Sequence, residues 1–141
     1  SFTAVGVEKA PEITLGKCLK EGQWTDDTSM ALCLADSLLM GRYDGSDARV
    51  RFWNWWHKGY NNGFRDDSRR TSWRSVGLGM NVGKSLDAVR DASPPARYEA
   101  VSEDSGNGSL MRLAPVPIAF ACDAERAMEV SAESSRTTHP G

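Results

Sequence analysis

At 141 residues, with 40% hydrophobic and 26% charged side chains and a formal net charge of -2, the chain is long enough for one domain with a real core. That balance argues against disorder, and the missing basic excess argues against a nucleic-acid partner. No apolar stretch approaches the roughly 20 residues that span a bilayer, and no signal-peptide pattern opens the chain, so no membrane partner is expected.

From the N-terminus, the first strong signal is Gly22-Gln23-Trp24-Thr25-Asp26-Asp27-Thr28, which runs directly into an apolar-periodic stretch over residues 28–40. Met30, Leu34 and Leu38 recur at helical spacing with Ala31, Ala35 and Leu39 beside them. This predicts a helix with a wide core-facing stripe, stopped by Gly41. Two adjacent carboxylates between two threonine hydroxyls gather hard oxygen donors at the helix start, a chemistry suited to Mg²⁺ or a similar cation. Helix capping by Thr25 or Asp26, with acidic residues favoured in a first turn by the macrodipole, accounts for the same residues, and for the motif alone it is the commoner explanation.

Residues 47–60 place Phe52, Trp56 and Tyr60 on one helical face with Trp53 adjacent; core packing is the expectation, and Gly59 and Gly63 weaken the end. Residues 61–74 alternate in charge and read as an exposed loop. Residues 75–83, SVGLGMNVG, are glycine-dense and lead into a short helix over 84–92, which Pro94 and Pro95 end. The glycine spacing is not GxGxxG and no hydrophobic strand precedes it, so a dinucleotide-binding turn is rejected. Either a plain loop or a site where backbone N–H groups approach a phosphate remains open.

Gly106-Asn107-Gly108-Ser109 has the same two readings: a tight turn with an N-cap, or exposed amides with a hydroxyl beside them. Residues 110–120 predict a helix kinked or interrupted by Pro115 and Pro117, and residues 123–135 a last helix with Ala127, Val130 and Ser131 toward the core. His139 lies in SSRTTHPG and reads as a hydrogen-bonding partner; neither it nor His57 has zinc-ligand spacing. The three cysteines, Cys18, Cys33 and Cys122, form no CxxC pair. Cys33 and Cys122 are expected as buried free thiols in a reducing, intracellular and cytoplasmic setting. No alternating strand pattern occurs, which makes the fold class all-α.

Three motifs in this order, GQWTDDTSMALCLADSL, GNGSLMRLAPVP and SSRTTHPG, resemble the ADP-ribosylglycohydrolase family across essentially the whole chain, and SVGLGMNVGKSL further resembles its branch with the jellyfish J1-crystallins. The resemblance implies an all-α, orthogonally packed domain of which residues 1–141 are the N-terminal part; both chain edges read as cuts. It also implies two Mg²⁺ ions, or Mn²⁺, and ADP-ribose or an ADP-ribosylated protein as partner. By motif, Thr25, Asp26 and Asp27 would be metal ligands, with Asp26, Asp27 and Glu8 the catalytic set. Gly77, Gly79, Gly106, Asn107, Gly108 and Ser109 would cradle the diphosphate and ribose, with His139 on the nucleotide side. The sequence departs from the family in three places. The N-terminal GDALG-x-P-x-E segment is compressed to residues 4–8, Asn81-Val82-Gly83 stands where bacterial members have Asp-Ile-Gly, and no DxDT-type motif occurs in these 141 residues. A metal-dependent hydrolase is the expected function, with a crystallin-like or non-catalytic ADP-ribose-binding protein as the alternative.

Overall fold

Helical periodicity becomes helix in the computed structural model, which describes residues 22–64, 78–100 and 106–140. Among the described residues the elements are α1 (Asp26–Leu38), α2 (Gly45–Lys58), α3 (Met80–Asp87), α4 (Gly108–Met111), α5 (Pro115–Ala119) and α6 (Ala124–Ser135). No strand occurs among them, as the all-α reading requires. None of these helices is long and apolar enough to cross a membrane.

The core is a seam between α1, α2 and α5, closed by α3 and α6. On α1 the buried face is Met30, Cys33, Leu34 and Ser37, an i, i+3, i+4, i+7 set. This rotates the predicted stripe: Leu38 is only partly buried, and Leu39, past the last helical turn, is 82% exposed. On α2 the buried line is Ala48, Phe52 and Trp55. The predicted aromatic face was therefore one position off at its second member. Trp55 takes the core site, Trp53 and Trp56 lean on its edge, and Tyr60 lies beyond the helix end at 38% exposure. Gly59 adopts φ 75 there, a left-handed conformation that glycine reaches without a Cβ penalty, and its N–H bonds Trp55 O at 3.1 Å.

α3 begins four residues before the predicted start and ends at Asp87; the stretch after it is held by a buried side chain. Arg49 Nη1 donates to Pro95 O at 2.6 Å and to Arg97 O at 2.9 Å, and Nη2 to Ser85 O at 3.3 Å. The predicted interruption over 110–120 is realised as two short helices. Pro115 and Pro117 sit in the first turn of α5, where a missing N–H removes no helical bond. On α6, Val130 and Ser134 are fully buried, while Ala127 and Ser131 are half-buried. Asp123 caps this helix by accepting from Arg126 N at 2.9 Å.

Two further expectations are corrected. Asn62 and Phe64, read as part of an exposed loop, are buried, and Asn61 and Gly63 are half-buried; residues 65–74 of that loop lie outside the described residues. Cys122 is exposed because it falls in the turn between α5 and α6, whereas Cys33 is buried, its thiol pushed up to about 12 by desolvation. Packing of α1 sets the first prediction. Leu34→Ala, at a fully buried site, should lower unfolding free energy by about 2–5 kcal/mol, and Leu39→Ala should change it by less than about 0.5 kcal/mol. Urea denaturation checks both, and equal losses would contradict the assigned face.

Candidate functional site

Thr25 occupies the N-cap position of α1 with extended backbone (φ -101, ψ -165), yet its side chain makes no capping hydrogen bond. Asp44, by contrast, caps α2 through its carboxylate, which accepts from Ser46 N at 2.9 Å. Asp26 and Asp27 fill the first turn of α1, both half-buried. Burial, and after it the neighbouring Asp27 charge, lifts the Asp26 carboxyl from 3.8 to about 6. The backbone N–H groups of Asp26 and Asp27 and the Thr25 hydroxyl pull it partly back. Two carboxylates held close while losing water form an arrangement that a hard cation relieves. With Thr25 they fit part of a hard-cation shell, and no group of three or more His, Cys, Asp or Glu is gathered among the described residues.

The segment leading into this pair is fixed by the end of α2. Trp24 Nε1 donates to Asn61 O at 3.3 Å, and Asn61 Nδ2 donates to Asp36 Oδ2 at 2.9 Å. A Cβ on Gly63 would lie 2.7 Å from Trp24 N and 2.8 Å from Trp24 Cδ2. Only a residue without a side chain lets the two segments meet there. Sequence reading took Gly63 for a helix-weakening residue, and nothing in its local context reveals this contact.

A second cluster forms where three distant segments meet. His139, 3% exposed, turns its Nε2 and Cε1 edge toward the Gly106–Gly108 turn. A Cβ on Gly108 would be 3.5 Å from either atom, and one on Gly106 would be 3.8 Å from Nε2. The same Gly106 position lies 3.4 Å from Asn81 Nδ2 of α3. Ser109 Oγ and Ser135 Oγ hydrogen-bond at 2.8 Å, which ties the start of α4 to the end of α6. Of the sequence-predicted residues, Gly106, Gly108, Ser109 and His139 are thus brought together, and Asn107 lies exposed on the turn. Gly79 is exposed at the N-cap of α3, with open space around it. Gly77 and Glu8 lie outside the described residues.

Arg112 joins the two clusters, a role that sequence reading did not assign. It is completely buried and donates from Nη2 to Ser134 O (3.0 Å), Thr137 Oγ1 (3.0 Å) and Thr138 Oγ1 (2.8 Å). Its Nη1 reaches Met30 Sδ on α1 at 3.8 Å, and its guanidinium carbon stands 4.6 Å from the centre of the Phe52 ring. Desolvation pushes its pKa down to about 10, and the charge of Asp27 is among the influences that hold it up, so it remains a cation behind the acid pair. The available signal was an arginine inside an apolar run.

Two outcomes follow from this geometry. Gly63→Ala should cost about 1–3 kcal/mol, since its Cβ would meet both the backbone N and the indole ring of Trp24 at 2.7–3.0 Å; calorimetric melting measures it, and an unchanged melting temperature would remove the close contact. Because folding raises the Asp26 pKa, that group favours the folded state most below about pH 4, and the contribution is lost as pH rises through about 6. In chelator, Asp26→Asn should therefore gain on wild type between these pH values and be the more stable at neutral pH. Parallel pH–stability curves would contradict this.

Comparison with known proteins places the chain in a family. The profile of the ADP-ribosylglycohydrolase family matches residues 3–141. The chain is 30% identical over 122 residues to the ADP-ribosylarginine hydrolase Tri1 of Serratia proteamaculans, covering 86% of this chain and 31% of that protein. It is 32% identical over 101 residues to the ADP-ribosylarginine hydrolase Tri1 of Pseudomonas putida, covering 71% and 25%. It is also 32% identical over 120 residues to the uncharacterized protein YegU of Escherichia coli, covering 83% and 32%. The chain therefore spans about a quarter to a third of the length of the curated relatives it matches. With the acid pair, the glycine turn and the buried histidine in one helical frame and the family profile across nearly every residue, the chain belongs to the ADP-ribosylglycohydrolase family.

Proposed function

We propose that residues 1–141 are the N-terminal part of an ADP-ribosyl hydrolase domain and supply one half of its site. The observation that carries this reading is the meeting of the Gly106–Gly108 turn with buried His139, beside a buried Arg112 that bonds Thr138 and feels the charge of Asp27 in the half-buried acid pair. Asp26, Asp27 and Thr25 would hold Mg²⁺ or Mn²⁺, two ions in the complete site, and a bound divalent ion would supply a polarised water and charge stabilisation. Gly106, Asn107 and Gly108 would let backbone N–H groups approach a diphosphate, Ser109 would face the ribose, and His139 would bond the nucleotide side. Gly77 and Gly79 would extend that cradle, and Glu8 would add a carboxylate. These groups orient the glycosidic carbon and stabilise charge that develops there. The names of two relatives suggest arginine-linked ADP-ribose on a protein as the substrate.

A second reading, a crystallin-like or other non-catalytic member that retains ADP-ribose affinity, is favoured by Asn81. It stands beside Gly106, and an amide there exchanges no proton near neutral pH. Titration calorimetry with Mg²⁺ and ADP-ribose tests the shared binding claim, and release of ADP-ribose from an arginine-modified protein separates hydrolase from binder. Binding of neither would remove both readings. Asp27→Asn in the protein should weaken Mg²⁺ binding by roughly tenfold or more while the fold survives. Unchanged metal affinity together with a lowered melting temperature in chelator would return the acid pair to a purely helix-starting role.

A further inference from the structure

Thr138 sits between a buried cation and the ring that faces the glycine turn. Its Oγ1 accepts from Arg112 Nη2 at 2.8 Å and lies 2.8 Å from His139 Nδ1. Thr138 and Arg112 are fully buried and His139 is nearly so. A guanidinium can only donate, so one lone pair of the Thr138 oxygen is committed to Arg112. The hydroxyl still has one hydrogen to give, and among the described residues its acceptor is Nδ1. If Nδ1–H donated instead, a buried hydroxyl hydrogen would be left without a partner, an arrangement that buried polar groups avoid.

We propose that Thr138, pinned by Arg112, is a positioning residue that holds His139 as the neutral Nε2–H tautomer, so that the ring presents a donor to the Gly106–Gly108 turn. The edge carrying Nε2 is the one that faces both glycines. A donor at that place suits phosphate oxygens or a ribose hydroxyl, whereas an unprotonated nitrogen would repel an anion; this ligand assignment rests on the reading of the turn as an ADP-ribose cradle.

Nitrogen-15 NMR of histidine-labelled, ligand-free protein tests the tautomer, with His57→Gln assigning the two rings. Wild type and Thr138→Ser should both show an unprotonated Nδ1 and a protonated Nε2. Thr138→Val, which keeps shape and removes the hydroxyl, should lose that single-tautomer signature. A protonated Nδ1 in wild type, or a wild-type pattern in Thr138→Val, overturns the proposal. Should the valine variant not fold, the wild-type spectrum alone still decides. Titration with ADP-ribose reads the other half: the valine variant should bind about tenfold more weakly and the serine variant within about twofold of wild type. Failure of wild type to bind ADP-ribose would sink the cradle reading and leave the tautomer to the spectra.

Discussion

A buried, permanently charged guanidinium is the constraint around which this site is arranged. Removing Arg112 from water is costly unless its donors are matched; three of its recorded hydrogen bonds run to oxygens at the end of α6 and the turn after it, while its buried Nε has no partner among the described residues. Among the described residues no carboxylate forms an ion pair with it. Carbonyl and hydroxyl dipoles, the face of Phe52 and the field of Asp27 stand in for a salt bridge. One side chain thereby fixes the position of three segments. The turn after α6 cannot shift without unpairing a buried cation, and α1 and α2 contact the same group.

The acid pair obeys the opposite logic. Asp26 and Asp27 repel each other and lose hydration in the first turn of α1, and the Asp26 carboxyl pays by holding its proton to about pH 6. Alternatives that would cost less were open to the chain. Asp44 and Asp123 each start a helix with one carboxylate that accepts from backbone N–H of the first turn. Positions where a sequence accepts such a local conflict are those where function is expected, and the proposed Mg²⁺ would supply the missing compensation here. Coverage of only a quarter to a third of its curated relatives fits a site whose remaining donors come from elsewhere in the family's domain.

Rigidity is distributed to match. The Trp24 segment is braced by Asn61 and by the close approach of Gly63, and the stretch after α3 by Arg49, whose guanidinium binds three backbone carbonyls. In both cases a side-chain donor, half-buried Trp24 or buried Arg49, satisfies carbonyls of an irregular segment at Asn61, Pro95 and Arg97. Loops held in this way behave as extensions of the helices and can keep exposed amides in register.

Local chemistry in the sequence determined the helices, their breaks at Gly41, Gly59 and the Pro115–Pro117 pair, and the four stretches that carry polar chemistry, because period, caps and breakers act within a few residues. It placed Val130 inside correctly but set Tyr60 and Leu39 too deep, since a helix does not reveal its own phase relative to partners yet unknown. Only the tertiary structure decided that Trp55 rather than Trp56 fills the core, that Gly63 makes room for Trp24, and that Asn81, Gly106 and His139 share one corner. Those facts depend on contacts across tens of residues of chain, where proximity is set by packing and by the hydrogen bonds of one buried cation.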